Sequence, residues 1–310
     1  MTHNDDALIS LGCELQAAGY RATAITPLSH QRVLLRARDR RLTLQDIFSW
    51  SCPFRSSNLS ARYLSLLKDA GELRETDGLY RSNVRFSTLN GKLFVHSAFP
   101  TTAPDVVFFG PDTYRFARFI RDSLSDWQPS APPRIIDIGC GSGAGGIIAA
   151  SVLPDYGEIV LADINDEALR FSRINASING MERVTVVKSD VFAGIDGEGD
   201  LIISNPPYLV DPQARLYRNG GGALGNDLSM RIACESTERL APGGKLLLYT
   251  GAPIFAGEDI LFEALSSAVS SRGKSLTYDE IDPDVFGEEL DHAPYDRADR
   301  IAAVGAIVNG

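Results

Sequence analysis

The sequence predicts an α/β protein: a doubly wound, mainly parallel seven-stranded sheet preceded by a smaller N-terminal α+β domain. Three observations carry that expectation. From Arg134 onward, short apolar runs alternate with segments of helical periodicity, the pattern of consecutive βαβ units. The chain before that point reads differently, with helices first and short strand-like pieces after them. Two punctuated segments, a glycine-rich loop at 139–143 and Asn205-Pro206-Pro207-Tyr208, each follow directly on a predicted strand, where ligands bind in open α/β sheets.

Taken in order, Ala7 to Ala18 carries Leu8, Leu11 and Leu15 at helical spacing and stops at Gly19. Arg32 to Arg38 reads as a strand or a short helix. Leu59 to Ala70 is an amphipathic helix, with Leu59, Tyr63, Leu66 and Leu67 on one face and Gly71 closing it. Asp77-Gly78, set between Leu73 and Arg81, is a hairpin turn signal. β character continues through Val84-Arg85-Phe86, Leu89 and Lys92 to His96. Helix then hairpin resembles a winged-helix module, yet no basic recognition helix stands out, which favours an accessory role. We therefore place an accessory or substrate-recognition domain at 1–104 and the main domain at 105–310.

In the main domain, strands are expected at 134–138, 158–163, 184–188, 200–204, 245–250, 274–281 and 300–308. Helices are expected at 144–153, 166–178, 227–240 and 258–272, with Pro242-Gly243-Gly244 as a turn.

Composition bounds the function. Hydrophobic residues make 44% and charged residues 23% of the chain, as in ordinary globular proteins. No apolar run approaches the ~20 residues that span a bilayer, and the polar, acidic start predicts no secretory leader. Cys13, Cys52, Cys140 and Cys234 are scattered and the four histidines form no ligand spacing, so no metal is expected. A reduced, cytoplasmic setting is the simplest reading. Residues 1–130 carry a net charge of +3 and residues 131–310 a net of −13. That acidic field disfavours a polyanion such as RNA without excluding local phosphate contacts from the N-terminal part.

The glycine loop Asp137-Ile138-Gly139-Cys140-Gly141-Ser142-Gly143 follows the strand Arg134-Ile135-Ile136. Glycines there let the backbone approach a ligand closely. Gly139 and Gly141 with a downstream acid also fit a loose NAD or FAD fingerprint, although GxGxG spacing tells against it. Asp163, at the end of the second strand, is placed to accept bonds from ribose hydroxyls. As an alternative it caps the next helix, a role that Asn165 or Asp166 fills better. Asp190, at the end of the third, suits an exocyclic amine, with Val191 and Phe192 as an apolar wall. At Asn205 to Tyr208, two prolines remove two N–H donors. The Asn205 side-chain oxygen and the Pro206 carbonyl then form an acceptor pair for a planar NH2 group, and Tyr208 offers a flat face.

Together these residues resemble the class I S-adenosylmethionine (SAM)-dependent methyltransferases, and Asn-Pro-Pro-Tyr resembles the branch that methylates nitrogens conjugated to a planar system. The likeness is to release-factor glutamine methyltransferases and related methyltransferase small-domain enzymes. It implies a Rossmann-like fold and SAM as cofactor. It implies a cofactor set of Thr113, Asp137, Gly139, Cys140, Gly141, Gly143, Asp163, Ile164, Asp190, Val191 and Asn205, with Thr113 in a segment, Phe109 to Thr113, similar to a Pro-Glu-Thr motif. Asn205, Pro206 and Tyr208 carry the chemistry. The first hundred residues do not resemble the recognition domain of the release-factor enzymes.

The leading functional reading is N-methylation of a planar amide, amine or guanidinium nitrogen on a small metabolite or protein side chain. An RNA base N-methyltransferase is the alternative enzyme, and a winged-helix nucleotide sensor the alternative of another class. A homodimer through the N-terminal domain is a further expectation. The glycine-rich stretch Leu216 to Asp227 reads as a substrate loop or a connector. The nine acids between Asp279 and Asp299 read as a solvated acidic face or as an attractor for a cation.

Overall fold

The computed structural model describes residues 3–36, 42–101, 103–213 and 215–310. Its main sheet is built from β5 (Arg134–Ile138), β6 (Glu158–Asp163), β7 (Val184–Lys188), β8 (Gly199–Ser204), β9 (Leu240–Phe255), β11 (Ser275–Asp282) and β12 (Arg300–Asn309). Their spatial order is β11-β12-β9-β8-β5-β6-β7, and the two-residue β10 (Glu258–Asp259) pairs off this path with β9. β5 to β9 run parallel, whereas β12 is antiparallel to both of its neighbours. The chain switches sides of β5, and that point opens a crevice at the strand ends. β5 and β8 are apolar on both faces (Ile135, Ile136, Leu201, Ile202 and Ile203 are fully buried), as expected for parallel strands covered by helices on both sides.

Helices α6 (Ala144–Val152), α7 (Asp166–Ile178), α8 (Asp227–Arg239) and α9 (Ile260–Ser270) lie within a residue or two of their predicted limits. Asn165 is the cap of α7, its side chain accepting from Glu167 N at 3.0 Å, which leaves Asp163 free of that duty. Pro242-Gly243-Gly244 differs from expectation: it lies inside β9 as a bulge. The partners of Gly199 and Leu201 are Leu240 and Lys245, and Gly243 at φ 77° absorbs the extra residues.

The N-terminal region contains α1 (His3–Ala17), α2 (Pro27–Leu34), α3 (Leu44–Phe48) and α4 (Ala61–Asp69), then hairpins β1 (Leu73–Thr76)–β2 (Leu79–Ser82) and β3 (Val84–Leu89)–β4 (Lys92–Ser97). Asp77 and Gly78 join β1 to β2 with φ of 53° and 73°, the two-residue turn their sequence demands. The segment Arg32 to Arg38 holds the end of a helix, since Thr26 caps α2 and Pro27 opens it; Ala37 and Arg38 lie outside the described residues. The N-terminal core does not close on itself. Leu8, Leu11, Phe48, Phe86 and Val95 share one cluster with Ala168, Phe171, Ile174 and Ile178 of α7. Finally, α5 (Pro111–Leu124) lies across β9 and α6, with Phe116, Ile120 and Leu124 buried.

Candidate active site

A cleft of about 250 Å³ opens where β5, β6 and β8 end. Of the residues predicted to form the site, Thr113, Asp137, Gly139, Cys140, Gly141, Asp163, Ile164, Asp190, Val191, Asn205, Pro206 and Tyr208 all line it. Gly143 does not. It starts α6 at φ 75°, and a Cβ there would lie 3.1 Å from Ser172 Cβ, so its role is close helix packing.

On the loop side, Gly139 and Gly141 adopt φ of 66° and 52° with open space where a side chain would begin. They form a cradle that only backbone lines. Cys140 N donates to Ala162 O (2.9 Å) and Gly141 N to Asp163 Oδ2 (2.9 Å). Asp163 Oδ1 accepts from Asn165 N at 2.9 Å. Each carboxylate oxygen has two lone pairs, so acceptor capacity remains for a ribose hydroxyl. Burial holds the Asp163 carboxyl above its ordinary range, opposed by the backbone N–H groups that it accepts from. Asp137 is buried beneath the loop and accepts from Gly146 N at 2.8 Å. Its carboxyl is pushed up to about 7, first by burial. A cationic group above the loop would stabilise its ionised form. Cys140 stays a thiol, because burial and both aspartates raise it.

Asp190 is exposed and pairs with Arg231 (2.8 Å). The expected acceptor for an exocyclic amine thus already shares its carboxylate with a guanidinium, since α8 packs beside the β7 turn. Val191 next to it sits at φ 52°, a costly conformation for a β-branched residue. Ser189 holds it there, donating to Val191 O at 2.7 Å and accepting from Gly194 N at 2.9 Å.

On the other wall, β8 ends because Pro206 and Pro207 have no N–H to extend the ladder past Ser204↔Leu248. Ser204, fully buried, donates its hydroxyl to Ile138 O at 2.8 Å, tying the ends of β8 and β5 together. The half-buried Asn205 side chain makes no hydrogen bond among the described residues. Tyr208 is buried and its hydroxyl donates to Asp112 Oδ2. One side of its ring lies on Gly251, where a Cβ would come within 2.2 Å, and Phe286 meets it at 5.9 Å and 68°. Asp112 also accepts from Tyr249 (3.1 Å) and Arg115 (3.0 Å). Burial raises its carboxyl, and these donors oppose the shift. In this segment the sequence pointed to Thr113; nothing local announces that a helix-opening acid anchors a tyrosine 96 residues away.

The remaining rim joins Tyr217 and Arg218, from the stretch expected as a substrate loop or connector, to Phe108 and Phe286, which the sequence did not single out. Phe108 and Tyr217 stack in parallel (6.0 Å, 7°), and Tyr217 donates to Thr101 O at 3.0 Å. Arg218 pairs with Glu289 and covers Phe286 at 6.0 Å. The acid-rich segment is therefore partly neutralised: Glu280 pairs with Arg300, Asp282 with Arg115 and Glu289 with Arg218.

Residues 123–267, which hold most of this cleft, match the family model of the methyltransferase small domain. In this segment the chain is similar to class I methyltransferase domains. The chain is similar to a release factor glutamine methyltransferase from Deinococcus radiodurans, 35% identical over 152 residues, covering 44% of this chain and 53% of that protein. It is also similar to a ribosomal protein uL3 glutamine methyltransferase from Francisella tularensis (33% over 184 residues; 53% and 58% covered). A third relative is a tRNA1(Val) (adenine(37)-N6)-methyltransferase from Aeromonas hydrophila (35% over 146 residues; 44% and 59% covered). The chain thus spans little more than half the length of these relatives. Among solved structures, Trm5b from Pyrococcus abyssi shares the fold at a TM-score of 0.51 and 14% identity, over 94% of this chain and 79% of that one. Within the matched segment the glycine cradle and Asn205 face one cleft with Tyr217 and Arg218, and Phe108 and Phe286 complete the rim from outside it.

Proposed function

We propose that the protein is a SAM-dependent N-methyltransferase whose acceptor is a planar NH2 group, a protein side-chain amide before a small metabolite. One observation carries the reading: Asn205, with an unengaged side-chain amide, lines the same cleft as the Gly139–Gly141 cradle and the Asp163 carboxylate. The residues present fit the cofactor. Asp163 suits a ribose diol, Asp137 beneath the loop suits an ammonium group, and the open glycines admit the donor close to the backbone.

When bound, SAM supplies a methyl group on a positively charged sulfonium. The protein's part is to hold the acceptor nitrogen. An amide nitrogen is a poor nucleophile because its lone pair is delocalised. Accepting its two N–H bonds at the Asn205 side chain and the Pro206 carbonyl favours pyramidalisation and stabilises the positive charge that develops. Orientation within the cleft supplies much of the remainder. Asp112 takes no proton here; it fixes the Tyr208 hydroxyl.

The division into a recognition part at 1–104 and a catalytic part at 105–310 belongs to this reading, as does a cytoplasmic setting. Two of the relatives are named for glutamine on a protein, which supports the amide. An adenine amine presents the same NH2 geometry, and one relative is named for it, but the net of −13 over residues 131–310 opposes a polyanion. Calorimetry with SAM and S-adenosylhomocysteine tests the cofactor, with micromolar binding expected. Labelled SAM added to protein and RNA fractions of a cell extract then tests the acceptor. Label that survives nuclease and is lost with protease supports the amide, the reverse pattern overturns it, and absence of cofactor binding overturns the whole.

A further inference from the structure

Asn175 of α7 and Asn179, which caps the C-terminal end of that helix, stand one turn apart, both facing the free edge of β4. Asn179 accepts from Leu93 N (3.1 Å) and donates to Leu93 O (2.8 Å). Asn175 accepts from Val95 N (2.7 Å) and donates to Val95 O (2.9 Å). Each primary amide carries a carbonyl and an NH2 group at peptide-like spacing. Two of them at i and i+4 therefore satisfy successive outward-facing residues of a strand, as a neighbouring strand would. In this way the N-terminal hairpin β3–β4 is docked on the methyltransferase domain without a strand partner.

Asn175 does one thing more. Its second amide hydrogen goes to Ser142 O at 2.9 Å, inside the glycine loop. The residue is fully buried, so each of these bonds lacks a competing water, and losing one leaves a buried carbonyl unsatisfied. The loop's backbone N–H bonds, Cys140 N to Ala162 O, Gly141 N to Asp163 and Gly143 N to Cys140 O, stay within the loop and the end of β6. Asn175 ties the loop to a different part of the chain.

We infer that Asn175 is a positioning residue for the cofactor site, coupling the docking of the N-terminal hairpin to the conformation of the Gly139–Gly143 loop. The two amide hydrogens of one nitrogen bind both partners at once. Movement of β4 away from α7 withdraws Val95 and frees the Asn175 side chain to rotate off Ser142 O, and disorder of the loop loosens β4. Coupling of this kind is reciprocal: ligand in the cleft tightens the hairpin, and a tightly docked hairpin raises ligand affinity. An acceptor held by the N-terminal region would then raise the affinity for the cofactor.

The inference rests on the SAM reading of the cleft, and Asn179 supplies its control, since it docks the same strand without touching the loop. In the full chain, Asn175→Ala and Asn179→Ala are both expected to lower Tm. Only Asn175→Ala is expected to weaken S-adenosylhomocysteine binding, by about tenfold for one buried hydrogen bond, and to raise KM for SAM more than it lowers kcat. In the unmutated protein, S-adenosylhomocysteine is expected to slow hydrogen exchange at the Val95 amide more than at the Leu93 amide. Equal losses of affinity in both variants, or unchanged affinity in a folded Asn175→Ala, would overturn the coupling. If Asn175→Ala does not fold, equal exchange rates at Val95 with and without ligand overturn it. A failure of the unmutated protein to bind S-adenosylhomocysteine points instead to a wrong reading of the cleft.

Discussion

At the scale of single residues, the chemistry concentrates in groups that have spare hydrogen-bonding capacity. Asn205 has an uncommitted amide and Asp163 a carboxylate with acceptor capacity left, whereas Tyr208, Asp112 and Cys140 are fully employed or buried. Replacing Asn205 with Ala should lower kcat by about 10²–10³-fold, the usual loss of one preorganised partner, while calorimetry finds SAM affinity unchanged. Asp137 behaves differently because its carboxyl titrates near 7 in the folded protein and in the ordinary acidic range once unfolded. The folded form then holds the proton more tightly, so this group makes the protein less stable as pH rises from about 4 to about 7. Asp137→Asn should raise the Tm of the ligand-free protein at pH 8 by ~5 °C, and the gain should shrink by pH 5. In the presence of SAM the order should reverse, because the variant lacks the charge that faces the ligand's cation. Of these residues Asn205 and Asp163 were legible in the sequence from their places at strand ends. Asp112's partners, Tyr208 and Tyr249, were not, because no local pattern encodes a contact across 96 or 137 residues.

At the scale of elements, glycine is used to let one backbone lie flush on another. The stretch 216–227, expected as a substrate loop or a connector, borders the cleft through Leu216, Tyr217 and Arg218. Its glycines seat it against the Asn205–Tyr208 corner: a Cβ at Gly220 would lie 2.6 Å from Pro207 O, and one at Gly225 2.4 Å from Tyr208 O. Leu209 and Asn219 form a parallel bridge, and Tyr295 ties the two sides, accepting from Val210 N and donating to Leu224 O. Gly251 supports the ring of Tyr208 from β9 in the same manner. Gly251→Ala should push that ring and lower kcat by about 100-fold, the size expected for a displacement near 1 Å at a reacting group. Cofactor affinity should hold, and the same substitution should cost little more when Tyr208 is already Ala. A comparison of kcat for the two singles and the double measures this. Strand and helix limits in this half were legible because period and punctuation agree. The bulge in β9 was not, since Pro242-Gly243-Gly244 has the composition of a turn and only pairing with β8 decides otherwise.

For the whole molecule, α7 is the shared wall. One face contributes Ala168, Phe171, Ile174 and Ile178 to the N-terminal core, while Ser172 and Asn175 underlie the glycine loop. Arg170 adds charge to this junction. It pairs with Asp5 of α1 (2.9 Å), Glu72 ahead of β1 (2.8 Å) and Glu167 (2.9 Å). Glu72 is buried, so removing the guanidinium takes the paired cation from a carboxylate held out of water. Arg170→Ala should lower stability by about 2–3 kcal/mol, below the range for a wholly buried pair because Arg170 is partly exposed. Urea unfolding monitored from both parts of the chain would measure it, and the two transitions should shift together.

By itself the sequence determined the alternating α/β order, the hairpin at Asp77-Gly78, the glycine loop and the proline-stiffened corner. Each of these depends on local forces: periodic burial, turn geometry and missing N–H donors act over a few residues. Tertiary structure alone decided that Tyr208 would be anchored on Asp112 and that Phe108, Tyr217 and Phe286 would rim the cleft. It alone turned three of the nine acids in the acid-rich segment into ion pairs and made α7 serve two cores. Those outcomes depend on which surfaces meet after the sheet has closed, and burial then sets the worth of every charge and hydrogen bond formed there.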